Sequence, residues 1–248
     1  MIASLPMYER AETVAAHNAL WSAVRDGLIA RDIDAPQGLT RDGDPRSHWR
    51  APKLILSQTC SLPYRSELHA AVNLIGTPNY GLRDTRPGYY FSVLIARSDD
   101  PREDPSKDPS ATMAVNDLKS QSGWAAPLEF LGSRRPSQTR LTGSHELSVR
   151  AVAEGLADWA AIDAVSWRAL EKSSEKTSAL RIFARTRQTP GLPLITAAQR
   201  DQEPIATAVT EALDHLDEQY RKDLGILSLV RIPREDYLSI PLPPANIG

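Results

Sequence analysis

A chain of 248 residues, 41% hydrophobic and 24% charged, has enough apolar material for a sizeable core and lies far from disordered compositions. Its length predicts two modest domains at roughly 150 residues each, and a formal net charge of -2 supplies no field to draw in nucleic acid or an anionic membrane. The lone Cys60 excludes an intrachain disulfide and a cysteine-based zinc framework. No apolar run approaches the roughly 20 residues of a membrane span.

Ile2 to Leu5, closed by Pro6, reads as a strand, and Val14, Trp21, Val24 and Leu28 recur at helical spacing after it. With Met1 so close to a core strand, no cleavable leader is read. The expectation is a cytoplasmic protein or a mature form written without its export signal. Asp34 to Arg50 is polar and carries Gly and Pro, as a loop does, whereas Lys53 to Ser57 reads as a strand buried on both faces. Ala70 to Ile75 and Tyr89 to Ala96 are further strands, separated by a turn-forming run from Gly76 to Gly81. Ser98 to Ser110 has no hydrophobic residue and marks an exposed excursion between two packed units.

The alternation then resumes with a strand at Thr112 to Val115, helices through Trp124 to Leu131 and His145 to Glu154, and a strand at Trp159 to Ile162. Gly155 stops the second helix. A strand at Leu180 to Ala184 leads toward Thr189-Pro190-Gly191-Leu192-Pro193, and Asp201 to Lys222 is the clearest helix, with Val209, Leu213, Leu216 and Tyr220 as its core stripe. Acidic residues at its start and Arg221 and Lys222 at its end follow the macrodipole. Ile226 to Val230 is a last strand before a tail with Pro241, Pro243 and Pro244. The class is α/β.

Chemistry concentrates where strand Thr112 to Val115 runs into Asn116-Asp117-Leu118-Lys119-Ser120-Gln121-Ser122-Gly123 and then a helix. Hydroxyls and free backbone N–H groups at a helix beginning form an anion cradle that needs no paired cation. Serines before helices are ordinarily just caps. A second stretch of the same kind, Thr142-Gly143-Ser144-His145, strengthens the ligand reading, because two such beginnings in one unit can face one anion. The candidate contacts here are Asn116, Ser120, Gln121, Ser122, Gly123, Ser144 and His145. Asp163 ends the strand Trp159 to Ile162, where open sheets place ligands, and equally fits an N-cap for a helix from Ala164 onward.

Tyr8, Tyr64, Tyr80, Tyr89 and Tyr90 lie near predicted strand ends, where tyrosines more often pack than bind. Tyr8 and Tyr90, with Thr59, are taken as ligand contacts. Cys60 with His145 and Asp163 would form a triad only by tertiary geometry, and nothing local supports one. No nucleotide loop, paired-histidine metal spacing or G-x-S-x-G elbow occurs, so no catalytic residue, metal site or cofactor is expected.

In their order and spacing, Gly88-Tyr89-Tyr90-Phe91-Ser92-Val93-Leu94-Ile95, Ser120-Gln121-Ser122-Gly123, Gly143-Ser144-His145-Glu146, Ala151 to Asp158 and Thr189 to Pro193 resemble the phosphonate-binding branch of the type II periplasmic binding proteins. These are the substrate-binding subunits of phosphate, phosphite and phosphonate importers. The resemblance implies two α/β lobes, each a mostly parallel sheet flanked by helices, with a ligand cleft between them. Lobe I would take residues 1–96 and 186–248, lobe II residues 97–185. It implies that Ser120, Gln121, Ser122, Gly123 and His145 hold phosphonate oxygens, that the ligand is a small oxyanion and that an ABC transporter permease is the partner. A monomer is expected, periplasmic if an export leader is missing from this sequence. Ser57-Gln58-Thr59-Cys60 departs from the family pattern, in which relatives tend to show an aromatic residue after the second strand. The alternatives on the same fold are a cytoplasmic enzyme of the menaquinone-precursor lyase or dehydratase type, with His145 or Asp163 as base, and an intracellular ligand sensor.

Overall fold

The computed structural model describes residues 1–244. The chain forms two compact units, the first from Met1–Tyr89 and Pro190–Ile240, the second from Tyr90–Thr189 with the tail from Pro241. The short strands β4 (Tyr89–Tyr90) and β10 (Thr189–Pro190) carry the first two passages between them, and the chain passes again after Ile240.

Unit 1 is built on a five-stranded sheet in the order β1 (Ile2–Ser4), β2 (Leu54–Gln58), β11 (Leu194–Ala197), β3 (Val72–Asn79), β12 (Ser228–Val230). Leu54, Ile55 and Leu56 are buried on both faces of β2, as their unbroken apolar run requires. Helix Val14–Ile29 lays Leu20, Trp21, Val24 and Leu28 into a core shared with Ile205, Val209 and Leu213 of helix Gln202–His215.

Several expectations for this unit change. The run from Gly76 to Asn79 is strand rather than turn, because β3 is paired on one side by β11 and on the other by β12, with Pro78 opposite Leu229. Long-range pairing outweighs local turn chemistry there. The expected loop of Asp34 to Arg50 contains a short helix, Pro45–Trp49, whose N-cap Asp44 accepts from the Arg46 N–H at 3.0 Å. The expected single helix from Asp201 to Lys222 is two, Gln202–His215 and Glu218–Leu224. Leu216 turns extended (ψ 140°), and Asp217 caps the second helix through the Gln219 N–H at 2.8 Å.

Unit 2 has a second five-stranded sheet, ordered β7 (Gln138–Leu141), β6 (Thr112–Val115), β8 (Trp159–Asp163), β5 (Ser92–Arg97), β9 (Leu180–Arg185). β6 runs parallel to β7 and β8, while β5 is antiparallel to β8 and β9. In unit 1, β1 and β2 are parallel and β11 is antiparallel to both its neighbours. Both sheets are therefore mixed rather than mostly parallel: β5 and β11, the first strands after β4 and β10, run against their neighbours, and β12 runs against β3. Helix His145–Ala153 packs Val149 and Val152 on one face of the second sheet, and Trp124, Leu128 and Leu131 cover the other with Met113 and Trp159.

The polar segment Ser98 to Ser110 lies within unit 2, folded around Arg102. That guanidinium donates to Asp100 at 2.7 Å, Asp108 at 2.7 Å and Asp158 at 2.5 Å, and Asp158 also accepts the Thr112 N–H.

Candidate functional site

β6 delivers the chain to Asn116, and a tight turn follows in which the Asp117 carboxylate accepts the Lys119 N–H and the Asp117 carbonyl accepts the Ser120 N–H. Ser120 then caps a wide helical turn, Gln121–Ala125, its Oγ accepting the Gly123 N–H at 2.9 Å. That turn continues into helix Ala126–Leu131, so the amides at its start have no helical carbonyl one turn earlier to bond to and rely on caps such as Ser120 Oγ or on a ligand. Ser92, at the start of β5, fixes the turn from behind by donating its hydroxyl to the Ser122 carbonyl at 2.9 Å.

The second beginning is set by the parallel pairing of β7 with β6, which continues past the strand ends as Thr142 N–H to Val115 O and Gly143 N–H to Asn116 O. Ser144 caps helix His145–Ala153 by accepting the Leu147 N–H at 3.1 Å, leaving His145 as the first helical residue. The two beginnings meet: Ser122 Oγ lies 2.8 Å from His145 Nε2 and 3.3 Å from Ser120 Oγ.

Gly123 leaves the junction open. A Cβ there would sit 1.8 Å from Asn116 Oδ1 and 3.3 Å from His145 Cε1, so the Asn116 carboxamide or the turn would have to move. Burial of the imidazole lowers the His145 pKa to about 4, so the ring is neutral at pH 7. Its Nδ1 and the Oδ1 of Asn116 are both buried with no hydrogen-bond partner among the described residues.

Of the sequence candidates, Asn116, Ser120, Gln121, Ser122, Gly123 and His145 come together in this cluster, with Ser120, Gln121 and Ser122 buried. Ser144 spends its hydroxyl as a cap. Asp163 likewise caps helix Ala164–Ser173, its Oδ1 accepting the Val165 and Ser166 N–H groups. Tyr8 and Thr59 belong to unit 1: Tyr8 stacks edge-on against Tyr80 with ring centroids 4.9 Å apart, and Thr59 is buried with its N–H on the Pro193 carbonyl. Tyr90 is buried at the start of unit 2. Tyr64 and Tyr89 serve unit 1, against the Tyr237 ring and on the Asp236 carboxylate.

Sequence reading missed Ser92, because a hydroxyl at the head of a buried strand carries no local signal of the turn it will hold. The cluster's polar groups are amides, hydroxyls, two carboxamides and a neutral imidazole, a set suited to solvating the oxygens of an anion without covalent chemistry. Among the described residues no group of His, Cys, Asp and Glu is arranged to hold a metal ion, and no helix is long and apolar enough to cross a membrane.

No curated protein matches the chain. Among solved structures it is similar to the Xanthomonas citri protein XAC2383 bound to chloride, with a TM-score of 0.73 and 15% identity over 95% of this chain and 92% of that one. A binding-protein component of an ABC phosphonate transporter from Pseudomonas aeruginosa gives a TM-score of 0.70 with 17% identity over 97% and 83%. PhnD1 from Prochlorococcus marinus, in complex with methylphosphonate, gives 0.71 with 13% identity over 96% and 94%. These likenesses establish the type II periplasmic-binding-protein fold. The family model for the periplasmic substrate-binding protein of phosphonate ABC transporters matches residues 59–237, a span that holds both helix beginnings, and the chain belongs to that family.

Proposed function

We propose that this protein binds a small tetrahedral oxyanion, a phosphonate, phosphite or phosphate, and presents it to an ABC transporter permease in the periplasm, without turning it over. The observation that carries the reading is the meeting of two helix beginnings at Ser122 and His145, 2.8 Å apart. Amides and hydroxyls aimed at one place are stabilised by negative charge through the helix dipoles. The Prochlorococcus marinus neighbour was solved with methylphosphonate and the Xanthomonas citri neighbour with chloride and with ATP, all anions. Ser120, Gln121, Ser122, Gly123 and His145 are the proposed contacts to the anion, with Asn116 shaping the space behind them.

The test is calorimetric titration with methylphosphonate, phosphite and phosphate. Replacing both Ser120 and Ser122 by Ala should weaken binding by about 1–3 kcal/mol through lost charge-assisted hydrogen bonds. Unchanged affinity in the double variant would rule the cradle out, and turnover of any bound compound would replace transport binding with catalysis.

A further inference from the structure

Ser122 has one hydroxyl hydrogen, and the structure gives it two directions. It either donates to His145 Nε2, 2.8 Å away, or points outward to a ligand while accepting from that nitrogen. The tautomer of the ring decides. With hydrogen on Nδ1, Nε2 takes the Ser122 hydrogen and the hydroxyl shows only lone pairs to an anion. With hydrogen on Nε2, Ser122 is free to donate; in every one of these states the buried Nδ1 has no partner among the described residues. The doubly protonated ring fixes the bond in one direction, Nε2–H to Ser122 Oγ, and turns the serine hydrogen outward. It also adds positive charge beside the cradle.

Among the described residues no charged group acts on the ring in the free protein. Asp117 and Lys119, in the loop leading to Ser120, are exposed or half-buried, and Glu146 on the helix of His145 is exposed. Farther along that helix Glu154 is held by Arg150 and by Lys176 from the 3-10 turn Glu175–Ala179, which also contributes Glu175. From the strands packed against the helix come Arg97, paired with Asp99, and Asp163, which caps the next helix; that helix carries Arg168, Glu171 and Lys172. None of these groups contributes to the low proton affinity of the ring, which comes from burial alone. An anion in the cradle would be the missing counter-charge.

We propose that the site takes up its anion together with one proton, held by His145, which locks Ser122 as a donor to the ligand. The inference rests on the anion-binding reading above and adds a charge state to it. Opposite charge within about 4–6 Å raises the proton affinity of an imidazole by about 1–3 pKa units, or tenfold or more, and by linkage the affinity for the anion gains the same factor as pH falls.

The experiment records nitrogen-15 histidine spectra of the full chain from pH 3 to 8, with and without saturating methylphosphonate. His145→Gln assigns the resonance. The expected result is a His145 midpoint at least one pH unit higher in the complex, that is, at least a tenfold gain in proton affinity. The spectrum reads the ring directly, so protonation of the ligand itself does not contribute. Calorimetry on the same samples separates the two ways of failing. Bound methylphosphonate with an unmoved His145 midpoint overturns the proton-uptake proposal alone. No binding of methylphosphonate, phosphite or phosphate at millimolar concentration overturns the anion reading, and this proposal with it.

Discussion

A single methyl group is enough to close the cradle. At position 123 it would collide with Asn116 Oδ1 at 1.8 Å, so Gly123→Ala must push either the carboxamide or the turn that carries Ser122. We expect at least a tenfold loss of methylphosphonate affinity, about 1.4 kcal/mol or more. The second substitution Asn116→Gly should recover part of it, since it removes the colliding atom, and calorimetry on the two variants checks this. His145 carries a separate signature. Unfolded, its imidazole takes a proton below about pH 6.5, whereas in the fold burial keeps it neutral down to about pH 4. The unfolded state therefore binds more protons between these values, and stability falls as pH drops through that window, by about 3 kcal/mol in total. Urea unfolding at pH 7.5 and 4.5 should show a smaller loss in His145→Gln than in the unaltered protein.

At the scale of elements, the segment between β5 and β6 depends on one side chain. Arg102 joins Asp100, Asp108 and Asp158, and Asp158 in turn holds the first N–H of β6, the strand that delivers the cradle. The Asp100 carboxylate is almost fully buried, with 1% of its side chain exposed, so removing its partner leaves a charge in the protein interior. Arg102→Met should cost about 1–3 kcal/mol, discounted for the partial exposure of the guanidinium, and lower the melting temperature by several degrees. The arginine beside it holds the Asp100 pKa below the usual carboxylate value. The associated stability is present above about pH 4 and is lost as pH falls below it, a loss that Arg102→Met should abolish.

At the scale of the whole molecule, any ligand that binds only the folded chain raises its stability by mass action. Methylphosphonate at 100 times its Kd should add about 2.7 kcal/mol, read as a rise of roughly 5–10 °C in thermal unfolding. The same concentration of a neutral analogue, dimethyl methylphosphonate, should add nothing. A rise in the Ser120 and Ser122 double variant equal to that of the unaltered protein would place the ligand elsewhere.

Local pattern determined the elements whose cause is local. β2 follows from its run of three aliphatic residues, helix Val14–Ile29 from the spacing of Leu20, Trp21, Val24 and Leu28, and the stop at Gly155 from its positive φ of 71°. The order of the S-Q-S-G and G-S-H stretches carried the family, because hydroxyls and glycines before a helix have a meaning readable in a short window. Tertiary structure decided the rest. β11 finds its place between β2 and β3 only through partners far away in the chain, and the same pairing turns Gly76 to Asn79 into strand. Asp163 and Ser144, read in sequence as candidate contacts, also cap the helices that follow them, a role the tertiary structure assigns through the Val165, Ser166 and Leu147 N–H groups. That Ser122 and His145 share a hydrogen bond depends on β6 and β7 running side by side, and a contact across a sheet leaves no trace in the spacing of residues along a chain.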